Sequence, residues 1–465
     1  MESVDSRLFP RNQTRGWSGV YDVVCVGFGP ANIALAVALE ELWPTARVKF
    51  LEREPGPCWQ PGMLLDGADI QNDPIRDLVT PRNPRSRYTF INYLHEEGRL
   101  FRHLNLPGHF PLRKEFARYI QWVAEHVSAD VDYAQEAVHI GLSDGPPHGR
   151  GVEVTTARRQ VYRGRSVVIA PGRTAYIPPV FAEVLDSRVF HTSRYLQGVA
   201  DLDPGWDGVV GVVGASQSAI EVVLDLTARF PAARVVNVMS GFGYRLKDTS
   251  PFSEEVYFPE FVEYFYRASA EGRRRLRDQL RPTNYSSADR DVIDQLYVRM
   301  YEDELDDRQR VTLRPNRLIT HAEVGDNGVM LDLTEHITGE QERLTTDRLI
   351  LATGYLDLGT WDRTQRYPPM LSGLATVLRL DDDTGLSVGY DYRVEPDPRQ
   401  PDVPPVYING LCESTHGLGD SGSFSLLALR SQAIVRSLRQ QLCGGDGNRE
   451  HTDLVGVARL DGSGE

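Results

Sequence analysis

At 465 residues the chain is long enough for two or three domains with a large core, and its aliphatic and aromatic content is that of an ordinary globular protein. A formal charge of −14 argues against nucleic acid or an anionic membrane as partner, and no apolar run approaches the ~18 residues of a membrane span. The four cysteines (Cys25, Cys58, Cys412, Cys443) have neither CxxC nor Cys/His spacing, so no metal site or disulfide framework is expected, which suits a reducing cytoplasm.

Residues 1–20 lack an apolar signal core and read as a flexible lead-in. The apolar run Val23–Val26 then stops at Gly27-Phe28-Gly29-Pro30-Ala31-Asn32, and a helical pattern follows over Ile33–Leu42. A strand that halts at glycines and turns into a helix aims backbone N–H groups and the positive helix end at one place, which suits a pyrophosphate. Gly27 permits the tight turn, and Gly29 lets a phosphate approach without a Cβ in the way. Asn32 stands where the third glycine of GxGxxG would be. A second apolar strand, residues 47–51, ends in Glu52, where an acidic partner for a ribose hydroxyl is expected. A glycine turn in an ordinary α/β domain is the alternative.

Residues 55–90 are rich in Pro, Gly and Asp and far longer than an ordinary connection, a length that points to function. Helical patterns follow at Phe90–Gly98 and Arg113–His126, then strands at Val152–Thr155, Gln160–Tyr162 and Ser166–Ile169. At Gly208 the opening pattern begins again: strand Val209–Val213, turn Gly214-Ala215-Ser216-Gln217-Ser218-Ala219, helix Ile220–Phe230 and strand Arg234–Met239. Two such turns in one chain are read as two dinucleotide sites. Residues 241–300 are irregular and then helical, like a lid, and the run Arg273–Arg277 reads as a solvated face. Thr312–Val324, Gly328–Leu333 and Glu342–Thr346 read as strands, Leu349–Tyr355 as a buried strand entering a glycine turn, Pro405–Gly410 as a strand and about Ser425–Leu442 as a helix.

Eight stretches occur in one order: VGFGPANIALA (26–36), WQPGMLL (59–65), DLVTPRNP (77–84), GASQSAIE (214–221), DTSPFSEEVYFPEFVEYFY (248–266), TNYS (283–286), ATGY (352–355) and THGL (415–418). From about Tyr21 to Leu438 the chain resembles the flavin-dependent N-hydroxylating monooxygenases of siderophore biosynthesis, the L-ornithine and L-lysine N-monooxygenases. The resemblance implies an α/β fold with two Rossmann-like dinucleotide-binding domains and a smaller, mostly helical substrate region. We expect an FAD-binding domain from 21–205 with 310–443, an NADPH-binding core at 206–250, a helical lid at 251–309 and a disordered tail at 444–465.

By the same resemblance, Gly27, Gly29, Pro30 and Glu52 would hold FAD, with Trp59, Gln60, Pro61, Met63 and Gln71 along the isoalloxazine and Thr353, Gly354 and Leu418 also on the cofactors. Gly214, Ser216, Gln217 and Ser218 would hold the nicotinamide dinucleotide. No Asp or Glu directly follows the strand at 234–239; Ser240 and Arg245 stand there instead, which favours NADPH over NADH. The implied reaction is N-hydroxylation of a primary amine by a C4a-hydroperoxyflavin formed with O₂, with Gln71 and Asn284 as catalytic residues and Arg76, Glu254, Asn284 and Ser423 on the substrate. A homodimer or homotetramer is also implied.

The chain departs from the family pattern mostly around the substrate. A Lys five residues beyond the flavin-loop Gln is Arg76 here, the substrate-binding Asn of SPFxNEIF falls at Glu254, and THGLxxxLLS becomes the longer, glycine-richer THGLGDSGSFS. Ornithine or lysine is the default substrate. Aspartate, its extra carboxylate held by Arg76, Arg245 or Lys247, is the rival. A Baeyer–Villiger or sulfoxidising monooxygenase is an alternative reaction, but its Phe-x-Gly-type signature is absent, and a disulfide reductase would need a CxxC.

Overall fold

The computed structural model describes residues 19–144 and 150–444. Apart from residues 19, 20 and 444, the expected lead-in at 1–20 and tail at 444–465 lie outside the described residues. The first unit opens with β1 (Tyr21–Val26), α1 (Pro30–Leu42) and β2 (Val48–Leu51). After the long loop come α2 (Phe90–Glu96), α3 (Leu100–Leu104), α4 (Arg113–His126), β3 (Val131–Asp132), β4 (Ala137–Asp144), β5 (Arg150–Thr156) and β6 (Val161–Ile169). Next are β7 (Val189–His191), α5 (Tyr195–Gly198), β8 (Val209–Val213), α6 (Gln217–Arg229) and β9 (Arg234–Val238), followed by the helices α7 (Pro259–Arg267), α8 (Ala270–Leu280) and α9 (Arg290–Leu305). β10 (Val311–Arg314), β11 (Arg317–Gly325), β12 (Gly328–Glu335), β13 (Gln341–Thr346) and β14 (Arg348–Leu351) form the strand-rich return. The short pairs β15 (Asp357–Leu358) with β16 (Thr364–Gln365) and β17 (Leu380–Asp381) with β18 (Gly385–Leu386) precede β19 (Val406–Ile408), α10 (Glu413–His416) and α11 (Leu427–Cys443).

The first sheet runs β3-β2-β1-β6-β5-β4, with β19 also on β6. The segments read separately as 160–162 and 166–169 are one strand, because β6 has two neighbours on one side. Residues 161–164 pair antiparallel with β5, and 167–169 pair parallel with β19. Arg163, Gly164 and Arg165 break the apolar pattern between these halves, which made one strand look like two. Through β19 and α11 the C-terminal part of the chain enters the first unit, and Ile434, Val435 and Leu438 join Val23, Val24 and Leu35 in one core. Each such fully buried aliphatic side chain contributes about 1.5–3 kcal/mol.

The second sheet, β10-β9-β8-β14-β7, is wholly parallel. Its extent corrects the expected boundaries: β7, β10 and β14 all fall outside 206–250, so this unit too is discontinuous. The reason is burial, since a parallel sheet must be covered on both faces. On one face, Ile220 and Val223 of α6 and Leu296 of α9 meet Val210 and Val212. On the other, β11-β12-β13 form an antiparallel sheet whose Val329, Leu331 and Leu333 pack on Val238, Leu349 and Leu351. The single strand expected over 312–324 is divided between these two sheets. Pro315 has no N–H to offer a ladder and Asn316 takes φ +54, so the chain turns there.

The basic run on α8 is only partly solvated. Arg274 and Arg275 are exposed, but Arg273 pairs with Asp383 at 3.5 Å and the Arg277 guanidinium sits 3.9 Å from the centre of the Trp361 ring. No helix among the described residues is long and apolar enough to cross a membrane.

Candidate active site

Both glycine turns form, and each is backed by the carbonyl that ends a neighbouring strand. Gly27 has φ +86, and a Cβ on it would lie 2.2 Å from the Ala170 oxygen after β6. Gly214 has φ +142, and its Cβ would lie 2.4 Å from the Ala352 oxygen after β14. The Ala-Thr-Gly-Tyr segment therefore backs the second turn, and Ala170 backs the first. Gly29, at the N-cap of α1, looks onto open space, and Pro30 takes the first helical position, where its missing N–H costs nothing. Neither α1 nor α6 has an acidic residue in its first turn or a side-chain cap, which leaves both positive ends to an outside anion.

The missing third glycines have a structural counterpart. The buried Asn32 amide donates to the Val26 and Gly27 carbonyls at 3.1 and 2.7 Å, pinning the turn from inside. The Asn32 oxygen accepts from Asn409 at 3.0 Å, Asn409 accepts from Arg430 at 2.7 Å, and Arg430 pairs with Asp420 at 2.8 Å. In the second turn Asn237, on β9, donates to the Val212 and Gly214 carbonyls at 2.8 and 2.9 Å. Glu52 accepts the N–H of Phe28 at 2.6 Å and that of Glu54 at 3.0 Å, and each oxygen retains a further acceptor site.

The loop expected to line a flavin is bracketed by two non-glycine residues in the left-handed region, Gln60 (φ +46) and Gln71 (φ +50). Gln60 is exposed, and Pro61 opens the short turn that follows. Trp59 stands edge-on to Phe424 and Phe116, at 5.3 and 6.3 Å between ring centres. Met63 differs from the other loop candidates, because its side chain is buried in the core of the second unit. The Gln71 backbone N–H donates to Asp69 at 2.9 Å, while its side-chain Nε2 is buried without a hydrogen-bond partner. An unpartnered buried amide costs about 1–3 kcal/mol, a penalty that a ligand accepting its N–H would remove. Burial pushes the Asp69 carboxyl up to about 6, against the lowering effect of the Gln71 N–H and with the nearby acids Asp291, Asp289 and Glu221 adding to the rise.

At the second turn, Ser216 is the N-cap of α6 and Ser218 is half-buried. Gln217 is engaged at both ends of its amide: Nε2 donates to Glu221 at 3.0 Å, and Oε1 accepts the Asp289 N–H at 2.9 Å. Arg245 lies alongside, since the Gln217 N–H donates to Ser287 and the next N–H, of Ala288, donates to the Arg245 carbonyl. Its side chain is exposed. Lys247, a candidate for an extra substrate carboxylate, lies 3.8 Å from Asp289 in an ion pair. Thr353 donates to the Tyr176 carbonyl, and the Gly354 carbonyl accepts from His191 and from the Tyr176 N–H, both at 2.9 Å.

The substrate candidates form a linked set. Among the described residues no carboxylate pairs with Arg76; its guanidinium lies 5.9 Å from the centre of the Tyr257 ring. Tyr257 donates to the Thr283 carbonyl at 3.2 Å, and the adjacent Asn284 amide reaches the Leu418 carbonyl at 3.5 Å. Glu254 begins the turn that ends at Tyr257. Burial drives the Tyr257 hydroxyl well above its usual range, Glu413 and Glu254 add to this, and Arg76 opposes it. From the glycine-rich turn, Ser423 donates to Ser425 at 2.9 Å, Ser425 contacts Asn72 at 3.4 Å, and Asn72 donates to the Arg76 carbonyl at 2.8 Å. A Cβ on Gly422 would meet Asn284 Nδ2 at 2.9 Å, the Tyr285 hydroxyl at 3.0 Å and Glu413 Oε1 at 3.5 Å, so this turn closes directly over Asn284.

The family model for L-lysine 6-monooxygenase/L-ornithine 5-monooxygenase matches residues 19–357. An L-ornithine N(5)-monooxygenase of Burkholderia cepacia is 36% identical over 435 residues, covering 90% of this chain and 94% of that protein. The chain belongs to this family. Its members are flavin-dependent N-hydroxylating monooxygenases, and the fold agrees. The ornithine N-hydroxylase of Kutzneria sp. 744, whose structure is described with reduced FAD, NADP⁺ and L-ornithine, superposes with a TM-score of 0.84 at 34% identity, covering 91% of this chain and all of that one. The L-lysine 6-monooxygenase of Pseudomonas syringae superposes at 0.79, also at 34% identity, over 90% of this chain and 99% of that one. Equal identity to an ornithine and a lysine enzyme means that overall similarity does not select the substrate.

Membership also separates the residues that carry motif signals from those that do not. Glu413, Tyr285, Arg173 and Asp357 were missed, though they form a cluster beside Asn284 in which Glu413 is buried and the other three half-buried. Tyr285 donates to Glu413, and Arg173 pairs with Asp357 at 2.9 Å while lying 5.2 and 5.3 Å from the Tyr285 and Tyr355 rings. Burial, with Asp357 nearby, pushes the Glu413 carboxyl up to about 8 against the pull of Arg173 and Tyr285. A lone acid between Leu411-Cys412 and the THGL stretch was the only sequence signal for it.

Proposed function

We propose that this chain N-hydroxylates the side-chain amine of a small amino acid of the ornithine or lysine type, in the cytoplasm, using NADPH and O₂, with FAD on the first unit and NADPH on the second. The observation that carries the reading is the buried amide of Gln71, unpartnered among the described residues, five residues before an Arg76 that no carboxylate among those residues pairs with, and within the loop between the two open turns. Such a donor fits a carbonyl or ring nitrogen of a planar cofactor, and the open N-termini of α1 and α6 fit two pyrophosphates. FAD, once reduced by NADPH, supplies the activation of oxygen.

The chain's own residues then have three tasks. Gly27, Gly29, Pro30 and Glu52 on one side, and Gly214, Ser216 and Ser218 on the other, hold the dinucleotides; Arg245 accepts the 2′-phosphate of NADPH. Arg76 and Asn284 bind the substrate carboxylate, the guanidinium through a bidentate fork, and Glu254 and Ser423 face its amino groups. Burial around Leu418, Tyr257 and Phe424 excludes water and favours the neutral amine, the only form with a lone pair to react.

Ornithine and lysine are favoured over aspartate because Lys247 is paired with Asp289, which removes one candidate cation for a second carboxylate. The test is hydroxylamine formation and NADPH oxidation across ornithine, lysine, aspartate, putrescine and an aminophosphonate. Hydroxylamine from ornithine or lysine is the expected result. NADPH consumption with no hydroxylamine from any of them overturns the reading.

A further inference from the structure

Arg113 and Glu221 join the two units by a buried, two-pronged ion pair. Nη1 donates to Oε2 and Nη2 to Oε1, both at 2.8 Å. Arg113 is 9% exposed and Glu221 7% exposed. Arg113 is the first residue of α4, whose Phe116, Tyr119, Ile120 and Val123 lie in the core of the first unit. Glu221 lies one turn into α6, the helix that follows the second glycine turn.

Each partner is also bound to cofactor-proximal structure of its own. Arg113 donates to the Met63 carbonyl through Nη1 and to the Asp69 carbonyl through Nη2, both at 3.0 Å. Those carbonyls belong to the loop between the left-handed residues Gln60 and Gln71, so one guanidinium holds both ends of that loop. Glu221 Oε1 also accepts from Gln217, which in turn fixes Asp289. A single ion pair therefore connects the flavin loop to the helix end that faces the second dinucleotide.

Cohesion does not explain the pair. The units already share a core in which Met63 and Leu65 of the loop pack with Phe190, Tyr195 and Ile220. A buried ion pair is commonly no more stabilising than apolar residues of the same volume. The planar fork does add a fixed distance and orientation, which a greasy contact lacks.

We propose that Arg113 and Glu221 are positioning residues that set the relative placement of the two cofactors, and so the rate at which hydride passes from the reduced nicotinamide to the flavin. In that step one C–H bond of the nicotinamide breaks, its two electrons and proton go to the flavin, and NADP⁺ is left. The proposal rests on the two-dinucleotide reading above. Such transfer requires near contact between the reacting atoms, and small misplacements are costly in rate.

The test uses the full-length flavin-loaded protein with Glu221→Gln, Arg113→Lys and the volume-matched double variant Arg113→Met/Glu221→Met. Anaerobic reduction by NADPH is followed at saturating NADPH, with flavin content, the NADPH Kd and reduction by dithionite as controls. The single variants are expected to slow reduction at least tenfold, with flavin content, the Kd within twofold and the dithionite reaction retained. The double variant is expected to melt near the wild-type temperature yet remain slow. Hydrogen exchange of the cofactor-free proteins is expected to rise over residues 61–71 in all three. Wild-type reduction rates in folded, flavin-loaded variants would overturn the proposal, as would recovery of the rate in parallel with melting temperature in the double variant. If instead wild-type protein bound no flavin or was not reduced by NADPH, the underlying two-cofactor reading would be what failed.

Discussion

The two glycine turns solve one problem in two ways. Each lacks its third glycine, and each has its inner carbonyls tied by an asparagine amide. Asn32 comes from the turn's own helix, whereas Asn237 comes from the neighbouring strand. The first anchor continues through Asn409, Arg430 and Asp420 into the C-terminal part of the chain. Among the described residues the second stops at Tyr244, which donates to Asn237. A helix entry can thus be fixed by a side-chain amide in place of close glycine packing. How far that amide's network extends should decide whether its loss is global or local.

The largest effect that sharpens this contrast is Asn32→Ala. It removes two buried hydrogen bonds and leaves Asn409 short of an acceptor, at about 3 kcal/mol in total. Urea denaturation and flavin absorbance should show lower stability together with loss of bound flavin. Asn237→Ala should cost about 2 kcal/mol and leave flavin bound, with the loss appearing in the NADPH Kd. Equal loss of flavin in both variants would break the contrast.

A smaller effect is expected outside the turns. Arg76→Ala should raise the KM for the amino-acid substrate about 10- to 100-fold, as for loss of a charge-assisted hydrogen bond, with the rate of flavin reduction little changed. An unchanged KM would remove Arg76 from the site.

A last effect is one of pH dependence, at Glu413. Its folded carboxyl is raised from 4.5 to about 8, so the folded state keeps a proton that the unfolded chain releases. That contribution is full below about 4.5, falls as pH rises and is gone above about 8. Urea midpoints measured from pH 5.5 to 8.5 should decline less steeply in Glu413→Gln than in the wild type. Parallel slopes would mean that Glu413 ionises normally.

The legible parts of this molecule were those governed by local rules. A strand that ends in glycine and enters a helix is written in consecutive residues, so both turns, α1, α4 and α6 emerged at nearly their observed limits. What depends on pairing across the chain was not written locally. β14 lies beside β8 rather than in the first unit because burial of both faces of the second sheet recruits it, and nothing within residues 348–355 specifies that neighbour. For the same reason nothing local in the sequence shows that Met63 packs in the core of the second unit or that Gln217 fastens α6 to Asp289. Arg113 and Glu221 lie more than a hundred positions apart, and neither alone reads as one half of a buried pair. Around the candidate substrate residues, Arg76 and Asn284 stand out by motif, whereas Glu413 has only its unusual apolar setting to mark it.

The most direct measurement of the central claim is a single turnover. The flavin-loaded protein is reduced anaerobically with one equivalent of NADPH and then mixed with oxygenated buffer containing ornithine or lysine, and hydroxylamine and hydrogen peroxide are both quantified. The account predicts flavin reduction by NADPH and close to one hydroxylamine per flavin with at least one of the two amino acids. Full flavin reoxidation yielding only hydrogen peroxide with both would contradict it.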